Sequence, residues 1–231
     1  MSVSRIAAAQ EYWSKTWGEV DRAIVRSAEI LGASKNEIEE LLVSRNPISL
    51  ELLRGRVLDV GCGPRSDLLR KEGVELIECD ALQSVLSVAR EKSSEWRQRI
   101  CSAAEWKPVG LVASDVLYLP FRDSSIRTVV AFKLLSVLEA HDFEPALREL
   151  SRVAERYIAF TVHCLGSAQE EGSSVGKKEG YVYTIYGSES NRQDRTAATM
   201  ADMERLLADF SLMKLRLDFV SGRIYVEAEK G

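Results

Sequence analysis

Between residues 55 and 162 the chain switches repeatedly between two hydrophobic periods, and that alternation restricts its fold more than any other feature. Apolar runs of strand length fall at Arg56–Val60, Val74–Cys79, Gly110–Ala113, Thr128–Phe132 and Tyr157–Val162. Helical patterns at 66–72 and 83–97 separate the first three, and another from about Phe143 to Ala154 separates the last two. A strand that returns through a helix to a neighbouring strand closes as a parallel βαβ unit. The pattern therefore predicts an α/β fold, a three-layer, mostly parallel sheet with helices on both faces. With 231 residues, 45% of them hydrophobic, the chain can bury such a core without disulfides or metals.

The flanks read differently. Residues 1–50 have helical periodicity, with Trp13, Trp17, Val20, Ile24 and Leu31 near one face. Ser34 and Glu37 have the form of a capping box for a second helix, and Pro47 marks a break. We expect this N-terminal stretch to act as a lid over a ligand, the alternative for its tryptophans being plain helix packing. Residues 164–197 interrupt the rhythm. LGSAQEEGSSVGKKEG has no core periodicity, and YVYTIYG is a possible strand. This reads as an insertion within a domain spanning 51–231 rather than as a domain of its own. Met200–Phe210 then reads as a helix, and Leu212–Val220 and Arg223–Glu229 as strands. Ser221-Gly222 between them is a two-residue hairpin signal, so these strands are expected to be antiparallel.

Charge and cysteine usage exclude some classes. Thirty-one basic residues against 35 acidic ones leave a net charge of −4, which argues against a nucleic-acid surface. Lys177, Lys178, Arg192 and Arg195 in the insertion are offset by Glu170, Glu171, Glu179, Glu189 and Asp194. No apolar run approaches the roughly 18 residues of a membrane span. The first residues lack a basic and then apolar leader pattern, so a cytoplasmic location is the default expectation. Cys62, Cys79, Cys101 and Cys164 form no C-x-x-C pair and have no histidine at zinc spacing, so no metal is expected.

The segment VLDVGCGPRSDLL carries the most chemistry. A buried strand ends at Asp59-Val60, turns through Gly61 and Gly63, and a helix begins near Ser66. Glycines let the backbone approach a ligand, and a helix N-terminus offers unpaired N–H groups. A nicotinamide-type turn would need glycine where Ser66 stands. Asp59, two residues before the first glycine, would repel a pyrophosphate and suits an ammonium group instead. Asp80 ends the second strand 21 residues after Asp59, where a carboxylate can accept from both hydroxyls of a ribose. Asp115 follows the third strand. It can accept from an adenine amino group while the Val116 N–H donates to a ring nitrogen, or it can simply cap a turn.

Taken together, VLDVGCGP, DALQSVLSVAREK and DVLYLPFRDSSIRTVVA resemble the class I, Rossmann-like S-adenosylmethionine-dependent methyltransferases, closest to their small-molecule and quinone-biosynthesis branch. The resemblance covers about residues 55–162 and 198–229. It implies a seven-stranded sheet of order 3-2-1-4-5-7-6 with the seventh strand antiparallel, and S-adenosylmethionine lying over the C-terminal ends of strands one to four. Gly61 and Gly63 would then border the methionine part, and Asp59 would orient the loop or face the ammonium. Asp80 would hold the ribose, with Ala81 and Leu82 near the adenine and Asp115 and Val116 on its edge. Ala131, Phe132 and Lys133 would flank the methionine end.

The chain departs from that family at several positions. Arg65 replaces a third glycine, Arg127 stands where the branch has Asp, and Ser136-Val137 where it often has His-His. VAERY replaces a Lys-Pro-Gly-Gly turn. Asp/Asn-Pro-Pro-Tyr/Phe, typical of base-amino methylation, is absent after strand four, where the chain reads AFKL. His163, at the end of strand five, is the candidate general base or acceptor contact. Tyr181, Tyr183 and Tyr186 are candidates for the acceptor wall, the alternative being one face of an extra strand. The expectation is an enzyme that methylates a small molecule. Protein or RNA methylation, or a non-catalytic S-adenosylmethionine-binding partner subunit, stays open as the alternative.

Overall fold

A computed structural model describes residues 48–49, 51–63, 74–83, 86–87, 110–168, 173–186, 194–220 and 222–231. Trp13, Trp17 and nearly all of the expected N-terminal helices lie outside the described residues. So do the helix expected at 66–72 and most of that expected at 83–97. The described strands are β1 (Gly55–Val60), β2 (Val74–Asp80), β3 (Gly110–Ala113), β4 (Ile126–Ala131), β5 (Ala154–Cys164), β6 (Ser174–Glu179), β7 (Val182–Tyr186), β8 (Arg195–Ala198), β9 (Leu212–Val220) and β10 (Arg223–Lys230). Two helices of more than one turn accompany them, α1 (Ala140–Val153) and α2 (Met200–Asp209). No described helix is long and apolar enough to cross a membrane.

The sheet runs β3-β2-β1-β4-β5 in parallel, then β10 antiparallel on β5 and β9 antiparallel on β10. This is the expected order, with β10 as the inserted antiparallel strand. The central strands are mostly apolar because both their faces are covered, with Asp59, Glu78 and Thr128 as buried polar exceptions. Leu58, Val129, Ile158, Phe160 and Val226 pack with α1 and α2 on one face. Val57, Leu76, Val130 and Ala159 pack with Leu52 and Leu53 on the other. Helix α1 buries Ala140, Phe143, Ala146, Leu147, Leu150 and Val153, one stripe at three- to four-residue spacing. Burying a side chain such as Phe160 completely contributes about 1.5–3 kcal/mol.

The insertion is more ordered than its composition suggests. β6, β7 and β8 form an antiparallel meander, and β8 joins β5 in parallel through His163↔Ala197 and Cys164↔Ala198. Along Tyr157–Phe160, β5 pairs β4 on one edge and β10 on the other. His163 pairs Arg223 of β10 and Ala197 of β8. Since a strand has two edges, β8 takes the one that β4 leaves after Ala131, and the meander stands past the end of β4. The possible strand in YVYTIYG is β7. β6 and β8 escape a periodicity reading because β6 is a polar edge strand and β8 has four residues; pairing with β7, not apolar alternation, holds them.

A buried carboxylate clips the meander to the core. Asp202, 2% exposed, completes a capping box with Thr199 at the start of α2. Its Oδ1 also accepts from Lys178 Nζ at 2.5 Å and from Arg205. Burial pushes the Asp202 carboxyl up, but the donors from Lys178, Thr199 and Arg205 outweigh it and hold the group below its ordinary value. A depressed carboxyl stabilises the fold above its unfolded pKa and loses that contribution as pH falls through the folded one. Lys178→Met should therefore speed hydrogen exchange at β6 and β7 while leaving β1 to β5 protected. The loss is expected at about 1.5–3 kcal/mol at neutral pH, shrinking in acid as Asp202 protonates. Exchange measured at pH 7 and again near pH 3 checks both points.

Candidate active site at the C-terminal strand edge

Parallel strands end together on one edge of the sheet, β3 at Ala113, β2 at Asp80, β1 at Val60 and β4 at Ala131. The connection from β1 leads to β2 on one side, while β4 lies on the other, so the order reverses beside β1. Ligands of open α/β sheets bind in the crevice at such a reversal.

The turn after β1 is built on two glycines with left-handed backbone, Gly61 at φ 68° and Gly63 at φ 55°. The N–H groups of Gly61 and Cys62 both donate to the Cys79 carbonyl, at 2.8 and 3.1 Å, which folds the turn over the end of β2. The two glycines serve different needs. A Cβ at Gly61 would lie 2.9 Å from Leu134 Cδ1, whereas one at Gly63 would meet nothing within 4 Å among the described residues. Gly61 is thus required by packing, whereas no described side chain crowds Gly63.

Asp80 links that turn to the β2 tip. Its Oδ1 accepts from the Leu82 N–H at 2.9 Å and its Oδ2 from the Gly63 N–H at 3.3 Å. Burial raises its carboxyl above the ordinary value, and the two N–H bonds oppose the rise without cancelling it. Ala81 is exposed and Leu82 buried. Asp59 and Glu78 lie opposite each other in the β1–β2 register, both buried, beneath the turn rather than in it. Burial, with Asp59 and Asp80 nearby, pushes the Cys62 thiol far up, and burial with Asp80 and Asp59 pushes Cys79 to about 12. Neither thiol is a nucleophile at neutral pH.

At the end of β3, the Ser114 N–H donates to the Asp80 carbonyl at 3.0 Å. Asp115 Oδ1 accepts from the Leu117 N–H at 3.0 Å, so this carboxylate does cap its own turn, and Val116 is buried in the core. The loop that follows is held by one arginine. Arg152 donates through Nε and Nη2 to Glu149, through Nη1 to the Phe121 carbonyl and Asp123, and through Nη2 to the Leu119 carbonyl. Glu149 in turn accepts from the Leu119 N–H at 2.8 Å. The bonds from Arg152 hold the Glu149 carboxyl below the usual range.

Beyond β4, Ala131 is fully buried, and the Phe132 ring lies 5.4 Å from that of Tyr225. Lys133 has φ 61° and donates its N–H to Thr161 Oγ1 of β5 at 2.8 Å. His163, half-buried, ends β5 between Ala197 and Arg223. Tyr183 pairs with the same Ala197, so the structure brings Tyr183 and His163 into one row. Tyr181 instead donates to Asp209 and stands edge-on to Phe210 at 6.5 Å, toward α2. Tyr186 pairs with Ser174 at the outer end of the meander and lies over Gly176. Sequence reasoning missed one residue of this edge altogether. Arg223 Nη1 donates to the fully buried Ser136 Oγ at 3.2 Å, a contact between residues 87 positions apart that no local pattern announces.

Residues 57–156 match a family model described as a methyltransferase domain. Demethylmenaquinone methyltransferase of Thermobifida fusca is 35% identical over 102 residues, covering 43% of this chain and 39% of that protein. The chain thus matches about two fifths of the length of this curated relative. Among solved structures, magnesium protoporphyrin IX methyltransferase from Synechocystis PCC 6803 with bound S-adenosylmethionine superposes with a TM-score of 0.62 at 16% identity, over 100% of this chain and 99% of that one. The Burkholderia thailandensis 1,6-didemethyltoxoflavin-N1-methyltransferase gives 0.58 at 15% identity, over 94% and 89%. The methyltransferase-domain match spans residues 57–156, and the strand order gives the chain the fold of these solved structures.

Proposed function

We propose that this protein transfers a methyl group from S-adenosylmethionine to a small-molecule acceptor. The observation that carries the reading is Asp80, a carboxylate set at the β2 tip by the Gly63 and Leu82 N–H groups. Asp80 would hold the ribose hydroxyls, and Gly61 and Gly63 would let the methionine part lie against backbone. Ala81, Leu82, Asp115 and Val116 would border the adenine, with Asp59 orienting the turn from below. Phe132 and Lys133 would flank the methionine end, and Ala131 would support them from the core. The relatives named for demethylmenaquinone, magnesium protoporphyrin IX and didemethyltoxoflavin support a small molecule as acceptor.

The bound cofactor supplies an electrophilic methyl carbon and its leaving group. What remains for the chain is alignment, and positioning of this kind is worth effective molarities of about 10⁵ M or more. The β6–β8 meander, standing past the end of β4, is suited to wall the acceptor side, with Tyr183 contributing an aromatic face. His163, in the same row, is placed to take a proton from an acceptor that must lose one.

Calorimetry with S-adenosylhomocysteine tests the reading. Binding should be present, and nicotinamide dinucleotides should not compete. Ribose hydroxyls donate to the ionised form of Asp80, whose carboxyl is raised by burial, so affinity should depend on pH. It should fall on acidification, with a midpoint above the ordinary Asp value of 3.8. Asp80→Asn should weaken binding by about 1–3 kcal/mol at pH 7 and flatten that acid limb. An unchanged affinity would place the ribose contact elsewhere.

The two glycines should separate under substitution. Gly61→Ala combines a left-handed backbone with a clash against Leu134 and should lower thermal stability by about 2 kcal/mol or more. Gly63→Ala meets no described neighbour, so its expected cost is that of the backbone, about 1–2 kcal/mol, but its methyl group would stand on the proposed cofactor side and should cost cofactor affinity at least tenfold. Melting curves with and without S-adenosylhomocysteine distinguish the two.

A further inference from the structure

Three strand pairings set Tyr183, Ala197, His163 and Arg223 side by side past the end of β4. Residues directly opposite each other in neighbouring strands project from the same side of the sheet. Arg223 opens β10, and its guanidinium reaches back to Ser136, in the 3₁₀ turn Leu135–Val137 that follows Lys133. Ser136 is fully buried, so this bond seats the guanidinium on the rigid interior. Arg195, two residues before Ala197 on β8, is near enough to repel it.

Several other arginines of this part of the chain pair with carboxylates. Arg152 pairs with Glu149 and Asp123, Arg156 with Glu229, Arg205 with Asp202 and Arg216 with Asp218. Arg223 differs. Among the described residues its recorded side-chain bond is to a neutral hydroxyl, and no carboxylate pairs with it. Burial and then Arg195 pull its guanidinium below the usual range. A half-buried cation beside a like charge is costly unless an anion completes it. The guanidinium fork presents N–H groups in the spacing of two oxygens of one oxyanion.

We propose that Arg223, seated on Ser136 beside Arg195, anchors an oxyanion group, carboxylate or phosphate, carried by the methyl acceptor. The word acceptor rests on the methyltransferase reading; the anion seat itself does not. The seat lies beyond the end of β4, on the far side of β1 from Asp80, where an acceptor would meet the methionine end of the cofactor. A negatively charged acceptor would be held there, and a neutral analogue would leave the arginine uncompensated.

The test uses the full-length protein, free and saturated with S-adenosylhomocysteine, titrated with benzoate, benzamide and inorganic phosphate. The readout is the backbone amide shifts of Ser136 and His163. At least one anion should bind and move both signals, and benzamide should not. The tighter anion names the group on the acceptor. Arg223→Gln should weaken that anion at least tenfold and Arg223→Lys less, with S-adenosylhomocysteine affinity kept in both. Should Arg223→Gln fail to fold, Ser136→Ala removes only the seating hydroxyl and should still weaken the anion several-fold. Benzamide binding as well as benzoate, or anion affinity indifferent to these substitutions, overturns the proposal. Wild-type protein that ignores S-adenosylhomocysteine yet binds the anion would sink the methyltransferase reading and leave the seat standing. Cofactor binding without any anion response would sink the seat alone.

Discussion

An eleven-residue strand in the middle of a sheet must satisfy its backbone along two edges, and β5 does so with three partners. An unpaired buried N–H or carbonyl would cost as much as a lost hydrogen bond, so the vacancy where β4 ends has to be filled. β8 fills it. That requirement brings the insertion against the C-terminal edge of the parallel strands and puts residues of β7, β8, β5 and β10 in one row. Thr161 adds to the same constraint. Its hydroxyl accepts the Lys133 N–H and turns the chain out of β4 in a left-handed conformation, which presents the loop carrying Ser136 to Arg223.

On the other side of the edge, order depends on a side chain rather than a strand. The segment from Asp115 to Ser125 has no helix to shape it, and its carbonyls at Leu119 and Phe121 are closed by Arg152. All five N–H groups of that guanidinium are used, two of them on Glu149, which itself holds the Leu119 N–H. A lysine carries the charge but not the planar fork. Asp115 therefore sits on a loop whose shape is determined by α1, the helix that also covers the core.

How much of this was legible in the sequence follows the range of the interactions. The strands β1, β2, β4 and β5 were readable because both faces of each are largely buried, so apolar residues dominate their runs. The Gly61–Gly63 turn and Asp80 were readable because their roles are set by backbone conformation and by a fixed crossover length. The Ser221-Gly222 hairpin was readable for the same local reason, with Gly222 at φ 79°. β6 and β8 were not, since their stability comes from neighbours. Tyr181, Tyr183 and Tyr186 alternate in sequence, but β7 begins at Val182, so Tyr181 belongs to the turn and packs toward α2. The Arg223–Ser136 contact joins the start of β10 to a 3₁₀ turn 87 positions earlier, and only the folded sheet brings them together.

The attachment of the meander has a consequence for how such a protein can diversify. It pairs with β5 at two residues, is tied to α2 by Lys178–Asp202 and Tyr181–Asp209 and to Leu138 by Thr196, and buries Val182 and Ala198 in the core, whereas Gly61, Gly63, Asp80 and Asp115 belong to β1, β2, β3 and their turns. Lengthening, shortening or resurfacing the β6–β7 hairpin tip would leave the hydrogen bonds of those turns untouched. Two parts of the C-terminal edge are thus carried on separate pieces of chain: the tip of the meander can drift in length and surface while the turns after β1, β2 and β3 keep the shape that the first three strands set.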